Sequence, residues 1–307
     1  MIQIDLLTGF LGSGKTTFIK KYVTYLVNKG YKIGIIENDY GAINVDMMLL
    51  QDVMGDRVSV EMIAGGSDLE THMRRFKTKL IALAMQGFDR VIVEPSGIYD
   101  VDEFFDVLYD KPLDKWYEIG NVISVVDAKL QDMSEESDYL LCSQIATAGK
   151  IVISKSQLAS QEDLDHTISH MKKALEMFKC TRQLKEDDFI TKDWNVFTDE
   201  DLEMILHCGY VNESHLKRRI SEDNDYQSLF FMNKELSKES ILDSIKKIMN
   251  DPECGNVIRI KGFINDQGWY EINATKEELN ISPIENGQDV IILIGEHLSQ
   301  EKIEHYL

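Results

Sequence analysis

The stretch "DLLTGFLGSGKTTFIKK", Asp5 to Lys21, decides how this chain folds and what it holds. Ile2 to Leu7 is a short β-prone apolar run closed by Thr8-Gly9, which reads as a buried strand. Phe18, Ile19, Tyr22, Val23, Leu26 and Val27 then recur at helical spacing, and Lys29-Gly30 supplies a stop. Between the two, Gly9, Gly12, Gly14, Lys15 and Thr16 fit the P-loop pattern G-x-x-x-x-G-K-S/T in its required setting of strand, loop and helix. The glycines let successive backbone N–H groups converge at a helix N-terminus, a concavity suited to phosphate. Ser13 and Thr17 belong to the same expected cradle, with Lys15 on the β- and γ-phosphates.

The chain has 307 residues, enough for one large and one small core, and its 43% hydrophobic content is that of a globular protein. Its 53 acidic and 33 basic residues give a net charge of -20, which repels phosphodiester backbones and anionic membranes, so neither nucleic acid nor a membrane is an expected partner. Met1 runs straight into the first strand and no apolar run has membrane-spanning length, so a cytoplasmic location is expected. The four cysteines, Cys142, Cys180, Cys208 and Cys254, show no C-x-x-C pairing, which fits reduced thiols.

Further strands are expected at Lys32 to Ile36, Val58 to Met62, Arg90 to Val93, Val122 to Val126 and Ile151 to Ile153, with helices between most of them. Alternating strands and helices, with nearly continuous Val and Ile in the strands, predict an α/β fold: a mostly parallel sheet with helices on both faces. A helix is expected at Asp199 to Leu206. The expected domains are a P-loop NTPase domain at 1–212, a linker at 213–225, and a small α+β domain at 226–307. The last reads as strands at Leu229 to Met232, Val257 to Ile264, Trp269 to Ile272 and Val290 to Ile294, with helices at Ser237 to Met249 and from Ser299.

A P-loop needs Mg²⁺ on its phosphates, with the loop hydroxyl and an acid at a neighbouring strand end as anchors. Thr16 supplies the hydroxyl, and Glu94, ending the buried strand in "DRVIVEPSG", the acid. In "IIENDYGAINVD" the acids Glu37, Asp39 and Asp46 follow a strand whose carboxyl end would face the γ-phosphate; Asp39 is expected near Mg²⁺ or ordering a switch, unless it and Asn38 are plain turn formers. The chemistry implied is phosphoryl transfer to water by positioning and charge stabilisation, with Lys15, Glu94 and Asp39 as the catalytic set. No arginine finger is identifiable, so slow intrinsic turnover is expected.

Together, "TGFLGSGKTT", "ENDYGAINVD", "VIVEPSG" and "VISVVDA" resemble the CobW-like P-loop GTPases, relatives of the nickel-insertion GTPases of urease and hydrogenase maturation. "NVIRIKGFIND" and "DVIILIGEHLSQEKIEHYL" resemble the CobW C-terminal domain. The resemblance implies a nucleotide-switched metallochaperone or metallocofactor-assembly protein with Mg²⁺ and GTP, Glu94 matching the E-x-x-G form of Walker B. It also implies a client metalloprotein, for example a cobalamin-dependent enzyme, and homodimerisation.

Two departures qualify what the resemblance implies. Where such proteins carry a Cys-x-Cys-Cys motif, this chain reads "VEMIAGGSDLETH", without a thiolate for a soft metal. Asp68 and His72 remain as hard ligands for a transition metal, against the reading that Ser67 to Glu70 is a helix capping box. In place of the guanine-reading N-K-x-D stands "IVISKSQ": Lys155 can lay its stem along a purine, but Gln157 offers one acceptor and a clashing donor, which weakens guanine preference by about 1 to 3 kcal/mol. ATP therefore stands beside GTP. A nucleotide-gated scaffold or regulator without its own transition metal is the alternative function, and a small-molecule kinase a third.

Three other features carry weaker readings. His166 and His170, at i and i+4, read as exposed opposite an apolar stripe of Leu164, Ile168, Met171, Leu175 and Phe178, rather than as a metal clip. Asp127 ends a strand and reads as an N-cap. Arg259 and Lys261 read as a solvated strand face.

Overall fold

The computed structural model describes residues 1–39, 50–64, 69–216, 226–276, 278–285 and 287–307. Asp46, Ser67 and Asp68 lie outside these, and so does the side chain of Asp39. The chain divides into two compact units, Met1–Arg219 and Ile220–Leu307.

The first unit is built on seven parallel strands: β1 (Ile2–Thr8), β2 (Ile33–Asp39), β3 (Val58–Ala64), β4 (Arg90–Pro95), β5 (Tyr117–Asp127), β6 (Lys150–Ser154) and β7 (Phe189–Ile190). Their order is β3-β2-β4-β1-β5-β6-β7. β4 is buried along its whole length and β5 from Asn121 to Val126, as expected of strands covered on both faces. The helices are α1 (Lys15–Asn28), α2 (Leu69–Ala84), α3 (Asp102–Leu108), α4 (Leu113–Trp116), α5 (Glu135–Ala146), α6 (Gln161–Met177) and α7 (Asp199–Leu206). α1 turns Phe18, Ile19, Tyr22, Val23 and Leu26 onto Leu7, Ile35, Ile92 and Ile123, so the cradle helix is seated directly on the central strands.

One buried polar knot crosses these layers. Asp5 of β1 accepts hydrogen bonds from Arg90 of β4, from Tyr22 Oη (3.0 Å) on α1 and from the Asn121 backbone N–H (2.9 Å) of β5. Burial raises the Asp5 carboxyl above its usual range, against the lowering pull of the Arg90 guanidinium. The Asn121 side chain in turn donates to Leu206 O (2.9 Å) and accepts from Gly209 N (2.8 Å), tying down the segment after α7. Residues 213–216, expected in a linker, are held on this unit: Leu216 N donates to Phe178 O at 2.8 Å.

The second unit is a five-stranded antiparallel sheet: β8 (Tyr226–Met232), β9 (Asn256–Asn265), β10 (Trp269–Ala274), β11 (Leu279–Ile284) and β12 (Val290–Glu296), in the order β11-β10-β9-β12-β8. Helices α8 (Lys238–Asn250) and α9 (Gln300–Tyr306) place Ile241, Ile245, Ile248 and Ile303 on Ile260, Ile264, Ile272 and Leu293. The expected solvated face at Arg259 and Lys261 is corrected here: Lys261 is only 4% exposed, and Arg259 is half-buried with its Nε donating to Asn273 Oδ1 at 3.2 Å.

Candidate functional site

β1 sits in the middle of the parallel sheet, and the loop that leaves its carboxyl end forms the cradle. Gly12 (φ 77) and Gly14 (φ 92) take left-handed backbone angles, and Gly14 caps α1 in that conformation. At Gly9 the limit is space as well: a Cβ would stand 2.2 Å from Val125 O and 2.8 Å from Ser13 Oγ. Lys15 is buried and its Nζ donates to Gly9 O at 3.0 Å, so the ammonium spans the mouth of the loop.

Thr16 Oγ1 donates to Glu94 Oε1 at 2.9 Å, across 78 residues of sequence. Glu94 is 3% exposed, and Glu37, 2% exposed, is its register partner on the adjacent strand β2. A threonine hydroxyl beside strand-end carboxylates is a set of hard oxygen donors, which fits Mg²⁺ and not a thiophilic metal. Asp39 closes β2 through its backbone. Thr17 is the third residue of α1 and faces outward.

The turn after Glu94 touches the cradle. At Gly97 a Cβ would meet Leu11 N at 2.6 Å, so only glycine lets the two loops lie together. Gly97 O also accepts from Gln144 Nε2 of α5 at 3.0 Å.

At the opposite flank, Ser154 ends β6 and Lys155 follows in a left-handed conformation (φ 54), its Nζ 2.8 Å from Asp127 Oδ2. Asp127 caps no helix: its other oxygen accepts from Lys129 N at 2.9 Å, an Asx turn. Gln157 lies exposed on the turn beyond.

Sequence reasoning missed Trp194. Its Cη2 is 3.3 Å from where a Gly14 Cβ would be, its ring is 5.2 Å from Phe18, and its Nε1 is buried with no hydrogen-bond partner among the described residues. With Ser154 it packs against the cradle at Gly14. The available signal was an aromatic residue in the loop after the last strand, at the carboxyl end where crevices form.

The histidine pair departs from its expected exposure. His166 is exposed as expected, but His170 is not: its Nε2 lies 2.6 Å from Asp138 Oδ1 with 9% of its side chain exposed. His72 is buried on α2. All four cysteines are free thiols, and burial pushes three up: Cys142 strongly, Cys208 to about 12, and Cys254 less.

A glycine-walled loop at a helix N-terminus, a buried lysine across it and a threonine-glutamate pair beneath it define a P-loop nucleotide-binding domain. The family described as CobW/HypB/UreG, nucleotide-binding domain, matches residues 3–184, more than half of the chain, and the chain belongs to it. It is 29% identical over 175 residues to zinc chaperone YjiA of Escherichia coli (strain K12), covering 54% of this chain and 52% of that one. To the zinc-regulated GTPase metalloprotein activator 1 of Schizosaccharomyces pombe it is 25% identical over 236 residues, 73% of this chain and 54% of that one. The chain thus spans about half the length of these curated relatives. Among solved structures it is similar to Zn(II)-bound YjiA GTPase from E. coli, with 17% identity, coverage of 99% and 97%, and a TM-score of 0.35. No helix among the described residues is long and apolar enough to cross a membrane.

Proposed function

We propose that this protein is a Mg²⁺-dependent P-loop nucleotide hydrolase, with GTP preferred and ATP the competitor, whose turnover gates delivery of a metal to a client protein. The observation that carries this reading is the Thr16–Glu94 pair directly beneath the Lys15 loop. Membership of the family supports nucleotide binding, and relatives named zinc chaperone and zinc-regulated GTPase support the metal role.

Lys15 exchanges the Gly9 carbonyl for phosphate oxygens when nucleotide enters, and the loop N–H groups bind the same charge. Thr16 and Glu94 would hold Mg²⁺, with Asp39 at the end of the neighbouring strand; the ion supplies neutralisation of the polyphosphate charge. Trp194, Ser154 and Lys155 line the base side, where Lys155 is oriented by Asp127. With no arginine assigned to the γ-phosphate, turnover is slow until a partner completes the site. The partner would be the client, or a second copy of the chain in a homodimer.

Fluorescent GDP and ADP titrated into the protein with Mg²⁺, followed by phosphate release from GTP and ATP, test the reading. Binding that Lys15→Ala abolishes, with GTP ahead of ATP, is expected. Failure of both nucleotides to bind overturns it.

A further inference from the structure

Beyond the Glu94-to-Gly97 turn the chain reaches Asp100 and Asp102, and His215 arrives from the far end of the same unit. One ligand atom of each lies within 4.8 Å of the other two. Asp100 is fixed in place: Oδ1 accepts from Ser143 Oγ (2.9 Å) and Asp102 N (3.0 Å), and Oδ2 accepts from Tyr139 Oη (2.8 Å). The His215 ring lies 5.7 Å from that of Tyr139, and its Nε2 is buried with no hydrogen-bond partner among the described residues.

We propose that Asp100, Asp102 and His215 form a binding site for a divalent first-row transition-metal cation. Ligand atoms on one tetrahedral ion at about 2.0–2.2 Å stand about 3.3–3.6 Å apart, so side-chain rotations that move the ligand atoms by about an ångström close the set. Two carboxylates suit hard and borderline ions, and the imidazole tips the choice from Mg²⁺ and Ca²⁺ toward zinc, cobalt or manganese. Three protein ligands leave coordination positions open for water, the arrangement of a site that exchanges its ion rather than locking it in.

The site is also mechanically joined to the nucleotide loop. Tyr139, Ser143 and Gln144 of α5 grip Asp100 at one end of the loop and Gly97 O at the other, and Gly97 abuts Leu11 of the cradle. Nucleotide occupancy would therefore change cation affinity. That coupling, unlike the site itself, rests on the function proposed above.

The test uses the full-length, chelator-treated protein without nucleotide. Co²⁺ is followed by its visible absorbance and Zn²⁺ by calorimetry, in wild type, His215→Ala, His215→Gln, Asp100→Asn and the exposed control His166→Ala. One bound ion, lost or weakened at least tenfold in both His215 variants and in Asp100→Asn but unchanged in His166→Ala, is expected. His215→Gln and a melting curve for each variant guard against a folding defect. No Co²⁺ binding by wild type, equal affinity in the His215 variants, or a sulfur-to-cobalt charge-transfer band overturns the site. Repeating the titration with saturating GDP and Mg²⁺ tests the coupling, which an unchanged affinity refutes. If GDP itself does not bind, the nucleotide reading fails while the cation site stands or falls on its own titration.

Discussion

Replacing Glu94 with glutamine keeps the side chain's volume and removes its charge. Thr16 Oγ1 donates to this carboxylate at 2.9 Å, and the amide oxygen of glutamine accepts the same bond. A hydrogen bond to a charged group contributes about 1.5–3 kcal/mol and one to a neutral group about half as much. Glu94 sits 3% exposed beside Glu37, so removing one of two neighbouring buried charges offsets that loss. The expected stability change is therefore within about 1 kcal/mol, or about 2–4 °C in melting temperature for a unit of this size. Function responds on another scale. Loss of a preorganised charge at a phosphoryl-transfer site lowers turnover by about 10²–10³-fold, and Mg²⁺ loses its carboxylate anchor. Thermal melts without nucleotide and phosphate release across a Mg²⁺ series measure both. Unchanged turnover with an unchanged Mg²⁺ midpoint would refute the placement of Glu94 at the metal, and a collapse in melting temperature would make it a structural residue.

Trp194→Leu should remove the nucleotide-dependent change in tryptophan fluorescence and weaken binding by about 5- to 100-fold, the range of a lost base-stacking contact; an intact signal assigns it to Trp116 or Trp269. Gly9→Ala, whose Cβ would stand 2.2 Å from Val125 O, should destabilise the first unit by several kcal/mol and abolish nucleotide binding, read by chemical denaturation and titration. Burial, reinforced by the charges of Asp100 and Asp106, pushes the Glu103 carboxyl up to about 8 from 4.5. Between those values the folded protein holds a proton that the unfolded chain releases, so stability falls as pH rises through that window and levels off above it. Glu103→Gln should flatten that slope in denaturant midpoints taken in chelator at pH 5, 6.5 and 8.

The parts of this molecule written locally were legible. The cradle is encoded by consecutive residues, and the central strands announce themselves because burial on both faces leaves no polar alternation: Val91-Ile92-Val93 and Val122 to Val126 carry it openly. The helix at Asp199–Leu206 is legible from its one apolar face, Leu202, Ile205 and Leu206, behind an acidic first turn. What escaped was set by contacts between distant segments. On α6 the expected Met171, Leu175 and Phe178 are buried, but Thr167 is buried while Leu164 and Ile168 are only half-buried, because Thr167 Oγ1 donates to Ala128 O (2.8 Å) and accepts from Leu130 N (3.0 Å). His170 is drawn inward by Asp138 in the same manner. β11 was invisible because Pro283 interrupts it, which an edge strand tolerates. Trp194 and His215 reach their places only through tertiary structure, and no spacing rule connects either to the loops they adjoin.

The central position of β1 has a consequence during synthesis. Its first residues leave the ribosome before any other part of the sheet, yet Ile4 pairs with Val91 and with Ile119, and Leu7 with Ile123. At about 5–20 residues per second, this apolar strand waits several seconds or more for its neighbours on either side. The nascent chain therefore carries this apolar segment unshielded while its partners are still being made, and a holding chaperone would find its target on this strand ahead of every other strand of the sheet.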